Sequence, residues 1–153
     1  MPFHINDRIV KACVYALIAI LLAISWGFPG VGKLAGGGVP DWFVEQFGKT
    51  FLASVPGLTA SFYSIAVLEA IASVAAIGSL LRGEFLRPVR PHFLFAAIVL
   101  SLLLFVQLSL GKQLVADFAG THDLFMYFAA GLAMLFAVRT LDKPHAPSPA
   151  ALT

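Results

Sequence analysis

The stretch Leu58–Leu81, LTASFYSIAVLEAIASVAAIGSLL, contains no Lys, Arg or Asp and a single acid, Glu69, near its middle. At about 1.5 Å per residue, a helix of this length reaches roughly 36 Å, enough to cross the hydrocarbon core of a bilayer. A carboxyl at that depth costs roughly 2.5 kcal/mol or more, so it must face protein or enclosed water. At helical spacing Glu69 shares its face with Phe62, Ile65, Ala66, Ala72, Ser73 and Ala76. Small residues of this kind let helices approach closely in lipid, where the hydrophobic effect does not drive them together. The segment therefore belongs in a bundle, with Glu69 directed at its neighbours.

The rest of the chain follows the same pattern. Of its 153 residues 59% are hydrophobic and only 12% charged, against about a quarter charged in soluble domains. Further apolar segments cover about 9–26, 93–110 and 124–141, each long enough to span once tilt is allowed. The predicted fold class is all-α, an integral membrane four-helix bundle over residues 1–143. Small residues mark packing faces at Ala12, Ala16, Ala19 and Ala23 in the first span, and at Ala130, Gly131 and Ala137 in the fourth. Residues 9–25 also have the outline of a signal-peptide core ending at Ala23-Ile24-Ser25, but are read as a retained anchor and first span. The Pro- and Ala-rich tail, 144–153, is expected to be disordered.

Charge placement orients the spans. Arg8, Lys11, Arg82, Arg87, Arg90, Arg139 and Lys143, seven of the ten basic residues, fall on the side of the N-terminus; Lys33, Lys49 and Lys112 fall on the other. The positive-inside rule then places both termini in the cytoplasm, with a bacterial inner membrane as the expected location. A net charge of +2, scattered along the chain, makes no case for nucleic acid. Cys13 is the only cysteine, which excludes an intrachain disulfide and any cysteine-built zinc or iron–sulfur site.

The first outer connection is long and has two parts. Gly27–Gly38, GFPGVGKLAGGG, is not expected to hold a regular helix throughout, with Pro29-Gly30 as the break. Residues 41–54 then read as a short amphipathic helix at the outer membrane surface. There Phe43, Phe47 and Phe51 recur every four positions, Pro40-Asp41 marks the start and Pro56-Gly57 the end. Trp26 and Trp42 suit the aromatic belt of the same interface.

Glu69 is the first candidate for chemistry, as a proton-linked or ligand-orienting carboxylate; an interhelical hydrogen bond is the plainer reading. Lys33 reaches Glu69 or an anionic headgroup only if its loop re-enters the bundle, and is otherwise an interfacial lysine. Asp117, His122 and Asp123 cluster at the outer end of the fourth span, with Asp123 one turn before Tyr127. They make either a polar mouth or a helix start with Thr121 as N-cap, and a metal site is not expected. Gln107 joins this polar group or packs as interhelical glue. Gly30-Val-Gly32-Lys33-Leu34-Ala35 matches a dinucleotide fingerprint only formally, since it follows a membrane helix and not a strand. Bis-histidine haem is poorly supported: His122 lies at the other face, which leaves only His4 and His92, and His4 stands on a short terminal arm.

Gly27-Phe28 with Gly32-Lys33-Leu34 after the first span, and Glu69 with Gly78 in the second, resemble the DoxX-like family of small four-span membrane proteins. The hydropathy layout matches over about residues 9–141, with Ala70 and Ala72 standing where the family pattern has glycines. The resemblance implies an accessory subunit of a membrane redox complex that binds a quinone or lipid and has no intrinsic cofactor. It also implies that Lys33 and Glu69 are the important positions. Tyr127, Gln107 and Asp123 are added here as ligand-binding candidates from their placement. Expected partners are membrane lipids and a larger membrane protein or further copies of the chain. A purely structural subunit anchored through phenylalanines, and a small oligomeric proton-coupled transporter, are the alternatives.

Overall fold

In the computed structural model, which describes residues 7–86 and 90–142, the chain is all-helical, and four of its helices are long and apolar enough to cross a membrane. The order is α1 Asp7–Ala35, α2 Asp41–Phe47, α3 Leu58–Leu81, α4 His92–Leu114 and α5 Phe118–Leu141. The protein is a four-helix membrane bundle, α1, α3, α4 and α5, with α2 laid over one end. Arg87, Pro88, Lys143 and the 144–153 tail lie outside the described residues.

α1 runs well past the expected break after Trp26. It continues through Pro29 to Ala35, and the chain turns only at Gly36–Gly38, where Gly37 has a φ of 75°. Pro29 removes one intrahelical hydrogen bond, yet helices in lipid tolerate this where a neighbouring helix covers the gap. α3 supplies that cover. A Cβ on Gly30 would lie 3.0 Å from both the Ala70 backbone nitrogen and Glu69 Cβ, and one on Gly27 would lie 2.9 Å from Ser73 Oγ. Two glycines flanking Pro29 thus let α1 press against α3 just where Glu69 is carried. Ser73 Oγ donates to the Ala23 carbonyl at 3.1 Å a turn earlier.

The remaining helices pack in chain order, α3 on α4 and α4 on α5. α1 meets α4 through Trp26 Nε1, which donates to Ser101 Oγ at 2.7 Å, and Ser101 passes a 2.7 Å bond to the Ala97 carbonyl. α1 is tied to α5 near the termini: Tyr15 Oη donates to the Val138 carbonyl at 3.0 Å, and Lys11 pairs with Asp142 at 3.2 Å. Buried polar groups in such a core are tolerable when bonded. The N-terminus of α4 shows the same economy. Pro91 offers it no side-chain cap, and the buried Glu84 carboxylate accepts instead from Phe93 N and Leu94 N, each at 3.0 Å.

The 41–54 helix is shorter than predicted. α2 stops at Phe47, turns at Gly48–Thr50, and is followed by a single 3₁₀ turn, Phe51–Ala53. Phe43 and Phe47 face the bundle, not the surroundings, and cluster with Phe62 of α3; ring centroids are 4.6 Å apart for Phe43–Phe47 and 5.2 Å for Phe43–Phe62, the latter pair meeting edge-on. Phe51, in the expected stripe, is 56% exposed because the chain has already left the α-helical period there.

Gly30→Ala should test the α1–α3 contact. Alanine ordinarily favours a helix by about 1 kcal/mol, but here its Cβ meets backbone. The variant should lose roughly 1–3 kcal/mol in a reversible unfolding assay. Gly32→Ala, where a Cβ meets nothing within 4 Å, should be neutral or mildly stabilising. Equal stability of the two variants would contradict the close approach.

Candidate functional site

Glu69 is 2% exposed and takes a hydrogen-bonded ion pair from Lys33 Nζ through Oε1. Its sequence neighbours Phe62, Ala66, Ala72, Ser73 and Ala76 are all buried, so the carboxylate points into the bundle as its helical face requires. Lys33 arrives from the last turn of α1, not from a re-entrant loop. Glu69 Oε2 has no hydrogen-bond partner among the described residues. The ammonium therefore does two things: it neutralises a charge that could not stand alone there, and it fixes the end of α1.

On the other side of Lys33 lies a cavity of about 510 Å³. Its polar wall includes Lys33, Gln46, Ser61, Ser64, Gln107, Lys112, Asp123 and Tyr127, and its apolar wall includes Phe43, Phe47, Phe62, Leu108 and Leu124. Four of the five sequence-predicted site residues, Lys33, Gln107, Asp123 and Tyr127, thus share one space. Glu69 does not line it; it lies behind Lys33. A second groove of about 490 Å³ lies against the turn after α1, lined by Gly32 and Gly36–Gly38, and shares Lys33, Trp42 and Phe62 with the first.

The other polar candidates are held as follows. Gln107 Nε2 donates to Ser64 Oγ at 2.8 Å, and Ser64 Oγ donates to the Ser61 carbonyl at 2.8 Å. Tyr127 is 57% exposed and packs against Phe105, whose ring in turn meets Trp26, with centroids 6.0 Å and 5.2 Å apart. Asp123 is an exposed residue of α5, 3.8 Å from His122 Nδ1. It is not at a helix start, because α5 begins earlier than the predicted 124–141 span. Asp117, not Thr121, is its N-cap: Oδ1 accepts from Gly120 N at 2.9 Å, and Thr121 bonds back to the Asp117 carbonyl. α4 is likewise longer than the predicted 93–110, reaching Leu114, and so brings Lys112 to the cavity wall.

Lys112 Nζ donates to Asp117 Oδ2 at 2.7 Å. That bond first, and the Gly120 N–H second, hold the Asp117 carboxyl below the usual aspartate range. Ser61, Ser64, Lys112 and Glu84 were not singled out by the sequence. Serines in apolar helices carry no local signal, and Glu84 sits in a turn whose surroundings are basic.

No family model, curated protein or solved structure matches the chain.

The Asp117 cap makes the α4–α5 junction acid-sensitive. A carboxyl whose value is lowered on folding contributes fully above its unfolded value and loses that contribution as pH falls through the folded one. Below the ordinary aspartate value of 3.8, hydrogen exchange at Gly120 and Thr121 should therefore accelerate relative to the base-line acid trend. In Asp117→Asn, which still caps but does not titrate, that step should be missing. An identical pH profile in the two proteins would contradict the assignment.

Proposed function

We propose that the protein is an accessory subunit of a membrane redox complex and binds a quinone or lipid in the cavity beneath α2. The observation that carries the reading is the convergence of Lys33 from α1, Gln107 from α4, and Asp123 and Tyr127 from α5 on one largely apolar space of about 510 Å³. Small-molecule sites typically occupy about 300–1,000 Å³ and combine apolar walls with a few placed polar groups. The aromatic group Phe43, Phe47 and Phe62 suits a ring or acyl body, and the polar wall suits an oxygen-bearing head. In this reading Glu69 is a positioning residue that holds Lys33 in the wall. The bound quinone or a partner protein carries the electrons, and this chain supplies binding and orientation. The resemblance to DoxX-like proteins and the charge distribution support a bacterial inner membrane with both termini cytoplasmic.

One observation favours a second reading. Only Gly131 and Val138 of α5 are buried, while Phe125 and Phe136 are 67% and 73% exposed. Such a face suits a purely structural subunit seated against a larger membrane protein, or simply lipid.

Native mass spectrometry of the protein extracted gently from its own membrane separates these. Gly111 lines the cavity, and a Cβ there would make an ordinary 3.6 Å contact with the Phe47 ring, so Gly111→Leu should take up part of its volume. We expect a small amphipathic adduct on the wild type that is lost in Gly111→Leu. A stoichiometric protein partner without any small-molecule adduct would overturn the ligand reading in favour of the structural one.

A further inference from the structure

The charged groups on the cavity wall are Lys33, Lys112 and Asp123. Both lysines are already engaged, Lys33 by Glu69 and Lys112 by Asp117. What remains uncompensated on the wall is Asp123, with only His122 nearby at 3.8 Å. An anionic head could take only the remaining N–H groups of ammonium ions already neutralised by Glu69 and Asp117, and would meet Asp123 as well. Asp123, the charge left for a cationic head, is 69% exposed, where pairing contributes little.

A neutral polar row is available instead. Ser64 Oγ spends its proton on the Ser61 carbonyl and accepts from Gln107 Nε2. This fixes the amide, so the Gln107 carbonyl oxygen is left as an acceptor. Ser61 is 7% exposed, lines the cavity, and has a hydroxyl with no partner among the described residues. A serine hydroxyl turns about a single side-chain bond and can donate or accept. The row therefore offers an acceptor and a second N–H from the Gln107 amide of α4, and a free hydroxyl from Ser61 of α3.

We propose that the molecule bound here has an uncharged oxygen head, hydrogen-bonded by the Ser61–Ser64–Gln107 row, with its apolar body against Phe43, Phe47 and Phe62. This rests on the ligand-binding reading above and narrows it to quinone or quinol heads and uncharged acylglycerols, excluding phospholipids and free fatty acids. The lysines shape the wall through their own carboxylates and do not bind the head.

The experiment is a binding titration on the delipidated full chain in detergent, using probes with equal ten-carbon chains. The probes are a decyl-substituted benzoquinone, monodecanoylglycerol, decyl phosphate and decylammonium. At least one of the two neutral probes should bind about tenfold or more tighter than either charged one; which of the two binds better tells a quinone from an acylglycerol. Ser61→Ala should weaken the neutral probe roughly fivefold, the scale of one lost hydrogen bond, while Ser61→Thr, which keeps the hydroxyl, should bind like wild type. The ligand-free melting temperature of Ser61→Ala should be unchanged or higher, because the variant removes a buried hydroxyl that has no partner. A merely structural Ser61 would lower that temperature and leave the affinity alone. Tightest binding of a charged probe, or unaltered affinity in Ser61→Ala, overturns the proposal while the cavity remains a binding site. Failure of every probe with the wild type overturns both readings.

Discussion

The ion pair between Lys33 and Glu69 is the interaction on which the loop end of this protein depends. A carboxylate at that depth in α3 would be intolerable alone, and the last turns of α1 carry the cation that makes it tolerable. For Lys33 to arrive there, α1 must remain helical through Pro29 and lie close to α3. Gly27 and Gly30 provide the approach, and the small residues beside Glu69 receive it. Each feature is weak or unfavourable by itself. Together they fix where α1 ends, and hence where the glycine turn, α2 and the aromatic cluster can sit.

The cavity follows from the same geometry. α2 bridges the loop end by burying Phe43 and Phe47 on Phe62, and the space beneath it is closed by Lys33 on one side and by α4 and α5 on the other. At the opposite end the described residues are tied by polar bonds: Tyr15 to the Val138 carbonyl, Lys11 to Asp142, and Glu84 on the start of α4.

How much of this was legible in the sequence depended on how local each signal was. The four spans follow from length and apolar content, and the inward direction of Glu69 follows from the residues at helical spacing around it. The continuation of α1 through Pro29-Gly30 was not legible. Local propensity argues for a break there, and only the packing of Gly30 on Ala70 shows why none is needed. The α5 start was misplaced because Thr121 and Asp117 are both plausible caps, and the choice is made by Lys112 across the turn. Phe51 fell out of its stripe because the helix ended at Phe47, after which the four-residue period no longer described its direction. Ser61 and Ser64 became interesting only through Gln107 on another helix, a relation between residues some forty positions apart that no local pattern encodes.

A double-mutant cycle of Lys33→Met and Glu69→Gln, read by reversible unfolding in detergent, tests the central claim most directly. Each single variant strands a polar or charged partner, whereas the double variant removes both sides of the pair. The single variants should lose roughly 2–4 kcal/mol each, and the double variant should be more stable than their sum by at least about 1 kcal/mol. Additive losses, or a Lys33→Met variant as stable as the wild type, would mean that the pair does not hold α1 on α3. The cavity wall described here would then lack its foundation.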